Sequence, residues 1–328
     1  MAFCKNPEKF FPVLTSPVLR DGSFKVILTN FHEILRFLNS MITGKLALVT
    51  GGGTGIGKAI ASTLAHLGAS VAIASRNMEK LQLTASDIQK NTGGICEPFE
   101  MNIRDPEMVS KAFDQIQQKF GKDPDVLVNN AAGNFIMATE RLSANAYGTI
   151  IDIVLKGTMN VTTELGRRCI KNKTGAAITS ITANYARAGG PFVVPSAISK
   201  AGVETMTKSL ATEWSKYGLR FNAVSPGPIP TKGAFGRLFT GEMGDAEDLI
   251  RTRNPAGRSG TPEEVANLVA FVSSDHMSFL NGVIIDLDGG QQHMHHGSHM
   301  GEFLHEMDQK AWDETENLIR GRTGKEKP

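Results

Sequence analysis

The segment VVPSAISKAG, residues 193–202, sets Ser196 four positions before Lys200. Residues at i and i+4 share a helix face, and an ammonium on that face lowers the pKa of a neighbouring acidic hydroxyl. A phenol in the serine's place would be a general acid suited to carbonyl reduction, where an alkoxide must gain a proton as it forms. Serine is a much poorer acid. The pair therefore poses the question of which other group meets developing negative charge.

A second run, TGGGTGIG, spans Thr50 to Gly57 and has the spacing Gly51-x-x-x-Gly55-x-Gly57. It follows the buried-strand pattern LALVT (46–50) and precedes a helical pattern from Lys58 to Leu67. Glycines there let the backbone approach a pyrophosphate while a helix N-terminus supplies aligned N–H donors. In this strand, turn, helix setting the run predicts dinucleotide binding. At the end of the next strand the chain reads IASRN, with Ser75 and Arg76 where an NAD site needs a carboxylate. A guanidinium there pairs with a 2′-phosphate, so NADPH is the expected cofactor. The alternative is an exposed arginine at a helix start.

These residues need a frame to hold them together. Strand patterns recur at 46–50, 70–74, 95–101, 125–132, 176–181, 220–227 and 282–290, with helical stretches between most of them. The alternation predicts an α/β fold: a single Rossmann-type doubly wound domain with a seven-stranded parallel sheet and helices on both faces. We expect this domain over residues 44–290, with a lid at about 229–260. A tail over 291–328 packs on it, and an N-terminal extension covers 1–43. In that extension Ile27, Phe31, Ile34, Leu35, Leu38 and Ile42 follow the spacing of an amphipathic helix.

Composition narrows the partners. The chain has 328 residues, 41% hydrophobic and 21% charged, with a net charge of +2 and no basic block interleaved with aromatics. That argues against nucleic acid as a partner. Three widely spaced cysteines suit a reducing compartment. The longest apolar candidate, Phe24 to Ile42, is broken by Lys25, His32, Glu33 and Arg36, so no membrane span is expected. His293, His295, His296 and His299 lack a carboxylate partner or a second cluster, and no metal is expected there. Lys232 and Arg237 are further candidates for phosphate groups.

TGGGTGIG, NNAAGN (129–134), the Ser/Lys helix and SPGPI (225–229), in this order, resemble the short-chain dehydrogenase/reductase family over about Gly44 to Gly290. NNAAGNF, SITANYARAGGPFVVPSAISKAG, KYGLRFN and PGPIPTKGAFGRL are similar, more narrowly, to its 2,4-dienoyl-CoA reductases of the mitochondrial type. Relatives of that type pass from GSF almost directly into GKLALVTGG, so Lys25 to Thr43 stands as an insertion or a reading-frame error. The resemblance implies NADPH held at Gly51, Gly52, Gly53, Thr54, Gly55, Ile56, Arg76, Asn102, Lys200, Pro226, Gly227, Pro228 and Ile229. It implies Tyr185, Asn134, Lys200 and Ser196 as catalytic residues, and acyl-CoA contacts at Arg104, Phe135, Ser143 and Arg237. Taken from the residues alone, Tyr185 is equally a loop aromatic with a satisfied hydroxyl and Asn134 equally a turn former.

The family's usual tyrosine position falls on Ser196 and its helix asparagine on Val154. A dienoyl thioester tolerates that change, because its negative charge spreads onto the thioester oxygen and needs donors more than an acid. The implied reaction is NADPH-dependent reduction of 2,4-dienoyl-CoA to trans-3-enoyl-CoA, in a mitochondrial homotetramer. The carboxyl end GKEKP, which lacks a Ser-Lys-Leu type signal, adds to the mitochondrial expectation. Two other readings stay open: a carbonyl or enoyl reductase of the same fold, and a catalytically silent NADP-binding regulatory protein.

Overall fold

The computed structural model describes residues 41–231, 246–294 and 308–323. The N-terminal helix pattern therefore lies outside the described residues except for its end at Met41 and Ile42, both buried. Residues 232–245 of the expected lid, with Lys232 and Arg237, also lie outside, as do His295, His296 and His299.

Seven parallel strands form one sheet in the order β3-β2-β1-β4-β5-β6-β7. They are β1 (Leu46–Thr50), β2 (Ser70–Ser75), β3 (Ile95–Glu100), β4 (Val126–Asn129), β5 (Ala176–Ile181), β6 (Leu219–Pro226) and β7 (Ile284–Leu287). β1, β4 and β5 are buried along their whole length, as strands covered on both faces should be. β4 stops at Asn129, short of the run predicted from sequence. Asn130 leaves the sheet there, bonding its backbone N–H to Thr50 Oγ1 at 3.1 Å.

Helices fill the crossovers: α1 (Gly55–His66), α2 (Met78–Thr92), α3 (Pro106–Phe120), α4 (Ala144–Ile151) and α5 (Thr158–Asn172). A single turn, α6 (Tyr185–Ala188), precedes the long α7 (Val194–Glu213). α8 (Ala246–Arg253), α9 (Pro262–Ser273) and α10 (Gln309–Thr323) follow. The ends of α2 and α3 are set locally. Asn77 and Asp105 accept first-turn N–H bonds, and Gly93 and Gly121 close the helices in the left-handed region. Caps of the first kind are worth about 1 kcal/mol each.

Side chains alternate across β1, so Ala47 and Val49 face one core with Ile60 and Leu64 of α1 and Val265 and Val269 of α9. Leu46 and Leu48 face the other, with Phe113 and Ile116 of α3 and Val161 and Leu165 of α5. Among the described residues no helix is long and apolar enough to cross a membrane.

Candidate active site

Neighbouring strands β1 and β4 connect in opposite directions across the sheet, which opens a crevice at their carboxyl ends. Two loops meet there. Asn130 Nδ2 donates to the carbonyls of Thr50 (3.0 Å) and Gly51 (3.3 Å), and Thr50 Oγ1 accepts the backbone N–H groups of Asn130 and Ala131 at 3.1 Å each. Asn130 and Thr50 thus pin the glycine loop to the end of β4. Sequence reasoning quoted both residues within motifs without giving them this job, because the bond joins positions about eighty apart.

The glycine loop has the form a phosphate cradle requires. Gly51 lies at φ +66° and Gly55 at φ +52°. A Cβ on Gly51 would come within 3.0 Å of Ala131 Cα. A Cβ on Gly57 would run into the Gly51 carbonyl oxygen and lie 2.5 Å from Asn130 Nδ2. The helix opening here, α1, has Thr54 at its N-cap with no side-chain cap bond and no acidic residue in its first turn. Its first N–H donors are left for an anion. Gly52 and Gly53 are buried beneath the loop, while Thr54 is exposed and Ile56 half-buried. The carboxyl end of β6 closes the other side. There Gly227 N–H bonds to the Leu287 carbonyl at 3.0 Å, Pro228 O accepts from Gly260 N–H at 3.1 Å, and Ile229 is buried. Thr231 reaches the glycine loop, 3.3 Å from the position of a Gly55 Cβ.

Arg76 is exposed just past β2, beside Ser75, whose hydroxyl accepts from Asn77 N–H at 3.4 Å. Asn102 follows β3 and turns its Oδ1 to the backbone N–H of Arg104 at 3.3 Å. Asn102 and Arg104 line a cleft of about 590 Å³ with Asp152, Lys156, Met159 and Asn160. Tyr185, Asn134 and Ser196 do not line that cleft.

The three polar groups expected to act together do meet. Asn134 Nδ2 donates to Tyr185 Oη at 3.3 Å, and Tyr185 Oη lies 3.1 Å from Ser196 Oγ. Asn134 Oδ1 accepts the backbone N–H of Phe135 at 2.9 Å, which fixes the carboxamide with its donor end toward the phenol. Ser196 is 1% exposed and sits on α7 one turn before Lys200. Burial pushes the Tyr185 phenol above its usual pKa, against the lowering effect of the bonds to Ser196 and Asn134. It therefore stays protonated and keeps its proton to donate.

Lys200 does not touch that trio through a bond of its own. Its ammonium donates to the Ile181 carbonyl at 2.5 Å, and burial lowers its pKa to about 8. Thr182, near the end of β5, donates to Glu204 rather than entering the trio. Ser143 caps α4, its Oγ accepting from Ala146 N–H at 3.2 Å, and is exposed. Phe135 is half-buried beside Asn134. Sequence reasoning placed Val154 at a changed family position but missed its setting. Asp152–Gly157 form a π turn between α4 and α5, and Val154 O accepts Thr158 Oγ1 at 2.7 Å. Such turns recur at functional sites in helices, and no residue type in DIVLKG announces one.

The chain is similar to known proteins along most of its length. A family model described as Enoyl-(Acyl carrier protein) reductase matches residues 50–292. A Caenorhabditis elegans protein named as a probable 2,4-dienoyl-CoA reductase, (3E)-enoyl-CoA-producing, is 74% identical over 99% of both chains. A Bacillus subtilis relative named as a probable 2,4-dienoyl-CoA reductase, (2E)-enoyl-CoA-producing, is 43% identical over 75% of this chain and 96% of its own. A solved short chain dehydrogenase from Bacillus anthracis is 38% identical, with a TM-score of 0.69, over 77% of this chain and 98% of that one. An Agrobacterium tumefaciens structure with bound NADP is 30% identical, with the same coverage and a TM-score of 0.69.

Proposed function

The chain belongs to the short-chain dehydrogenase/reductase family, and on that premise we propose that it reduces 2,4-dienoyl-CoA to trans-3-enoyl-CoA with NADPH. One observation carries the reading: Tyr185 Oη on α6 and Asn134 Nδ2 on the loop after β4 converge at 3.3 Å, both outside the lysine helix, while Ser196 stands where an acid would serve ketone chemistry. A relative named for this activity supports it, while the Bacillus subtilis relative is named for the same substrate with a (2E)-enoyl product.

The residues divide the work as follows. Gly51, Gly52, Gly53, Thr54, Gly55 and Ile56 would cradle the pyrophosphate on the open end of α1, and Arg76 would pair with the 2′-phosphate. Asn102 would border the adenine, and Pro226, Gly227, Pro228 and Ile229 would flank the nicotinamide end. Lys200 would hold the nicotinamide ribose. When bound, NADPH would supply the hydride, and a proton gained at C2 would complete the 3-enoyl product. The phenol of Tyr185 and the carboxamide of Asn134 would donate to the thioester oxygen, where negative charge collects, and Ser196 would keep the phenol in place. A donor pair held before reaction costs no reorganisation during it. Arg104, Phe135, Ser143 and Arg237 remain our candidates for the acyl-CoA body.

Purified protein mixed with NADPH and 2,4-hexadienoyl-CoA should consume nicotinamide absorbance and yield the 3-enoyl thioester. Turnover of ketones alone would point to a carbonyl reductase, and cofactor binding without any turnover to a silent protein. Arg76→Ala should weaken NADPH about tenfold to a hundredfold, as loss of a charge-assisted pair does, and leave NADH binding where it was. Equal loss for both cofactors would remove Arg76 from the 2′-phosphate.

We also propose a homotetramer in the mitochondrion, the latter from the resemblance. β7 supports the assembly. Ile284, Ile285 and Leu287 are only half-buried along this edge strand, next to the exposed Val283 and Phe279. Sedimentation equilibrium tests the first statement, since a mass near that of one 35.3 kDa chain would contradict it. Cell fractionation tests the second, and recovery outside mitochondria would contradict it.

A further inference from the structure

The turn that carries Tyr185 holds a charged residue that the chemistry above does not use. α6 is one turn of four residues, too short to hold itself. Its local bonds are few: Ala186 N–H to Ala183 O at 2.9 Å and Arg187 N–H to Asn184 O at 3.3 Å. Gly189 then leaves in the left-handed region at φ +77°.

Arg187, two positions after the phenol, reaches three separate elements. Its Nη1 donates to Asp286 Oδ2 on β7 at 2.9 Å, and its Nη2 to the other Asp286 oxygen and to Ser225 Oγ on β6, the latter at 3.0 Å. Its Nε lies 3.4 Å from Glu204 Oε2 on α7. A guanidinium can do this because its donors form a rigid planar fork. Glu204 is 3% exposed and one turn beyond Lys200, and its other oxygen accepts Thr182 Oγ1 at 3.1 Å. Burial raises the Glu204 pKa, and Arg187 is the foremost group pulling it back down. The Arg187 bonds in turn hold Asp286 below the usual carboxylate range. One side chain thus ties the tyrosine turn to β6, to the edge strand β7 and to the lysine helix.

We propose that Arg187 is a positioning residue: by clamping α6 to Asp286 and Glu204 it holds the Tyr185 hydroxyl against Asn134 and Ser196. The inference rests on the role proposed for Tyr185, so one readout is independent of turnover. The chain has three tyrosines, Tyr147, Tyr185 and Tyr217. Carbon-13 at the tyrosine Cζ reports hydrogen bonding of each phenol, and Tyr185→Phe identifies the resonance concerned.

In Arg187→Ala the Tyr185 resonance should move toward that of a solvated phenol. kcat on 2,4-hexadienoyl-CoA should fall about tenfold to a hundredfold, the effect of a small misplacement of a catalytic group. KM for the thioester and Kd for NADPH should stay as they are. Arg187→Lys, which keeps the charge but not the fork, should fall between wild type and alanine. It also serves if the alanine variant fails to fold. Asp286→Asn should lower kcat by itself and add nothing to Arg187→Ala, because residues acting through one contact are not additive. An unmoved Tyr185 resonance with wild-type kcat in both Arg187 variants, or additive losses in the double variant, would overturn the proposal. If wild-type protein does not reduce the dienoyl thioester, the proposed substrate falls, while the resonance still decides the place of Arg187.

Discussion

Tyr185→Phe should lower kcat on a dienoyl-CoA by about a hundredfold to a thousandfold, the usual cost of deleting one donor to a developing oxyanion. The substitution removes only the hydroxyl that Asn134 and Ser196 hold at 3.3 and 3.1 Å. The ring keeps its packing, so NADPH affinity and thermal stability should stay near wild type. Burial keeps the phenol protonated past its ordinary titration near pH 10, so its ionisation should not shape the wild-type pH–rate profile below that value. Stopped-flow turnover and cofactor fluorescence check both halves. Full activity in the variant would take Tyr185 out of the site.

Gly57→Ala should abolish measurable NADPH binding, a larger effect than its single methyl suggests. Gly57 is buried in the first turn of α1, and the added Cβ meets the Gly51 carbonyl and Asn130 Nδ2. Neither is the free end of a flexible side chain. Asn130 is committed to the Thr50 and Gly51 carbonyls, so the cradle must open for the methyl to fit. Overpacking of this kind costs about 1–3 kcal/mol in stability, and the displaced loop loses its fit to a pyrophosphate. Isothermal titration and a melting curve measure the two parts. Unchanged affinity would show that the loop does not cradle the cofactor. Gly53→Ala is a contrast, since a Cβ there meets only Leu81 Cδ2 at 3.4 Å.

How far the sequence led differs between frame and site. β1, β4 and β5 announced themselves because a strand buried on both faces is mostly apolar along its length. α1 begins at Gly55 rather than Lys58, since glycines that read as a turn also form the helix's first turn, with Thr54 at the N-cap position and no side-chain cap bond. β7 runs only from Ile284 to Leu287, because Gly282, Gly289 and Gly290 all adopt positive φ at its ends. The glycine loop and Arg76 could be read as a cofactor site because backbone approach and phosphate charge restrict residue type locally. The meeting of Asn134 with Tyr185 joins residues 51 apart, and only the family resemblance suggested it. Arg187 with Asp286, 99 apart, carried no signal at all, since an Arg and an Asp are ordinary on any surface. The Ile181 carbonyl as partner of Lys200 was equally hidden, because every residue carries one.

The Tyr185 phenol and the Asn134 carboxamide should share one substrate oxygen. A crystal structure with NADP and a 2,4-dienoyl-CoA tests it most directly. The thioester oxygen should lie within hydrogen-bonding distance of both Tyr185 Oη and Asn134 Nδ2. An oxygen bound by neither, or by Ser196 and Lys200 instead, would contradict it.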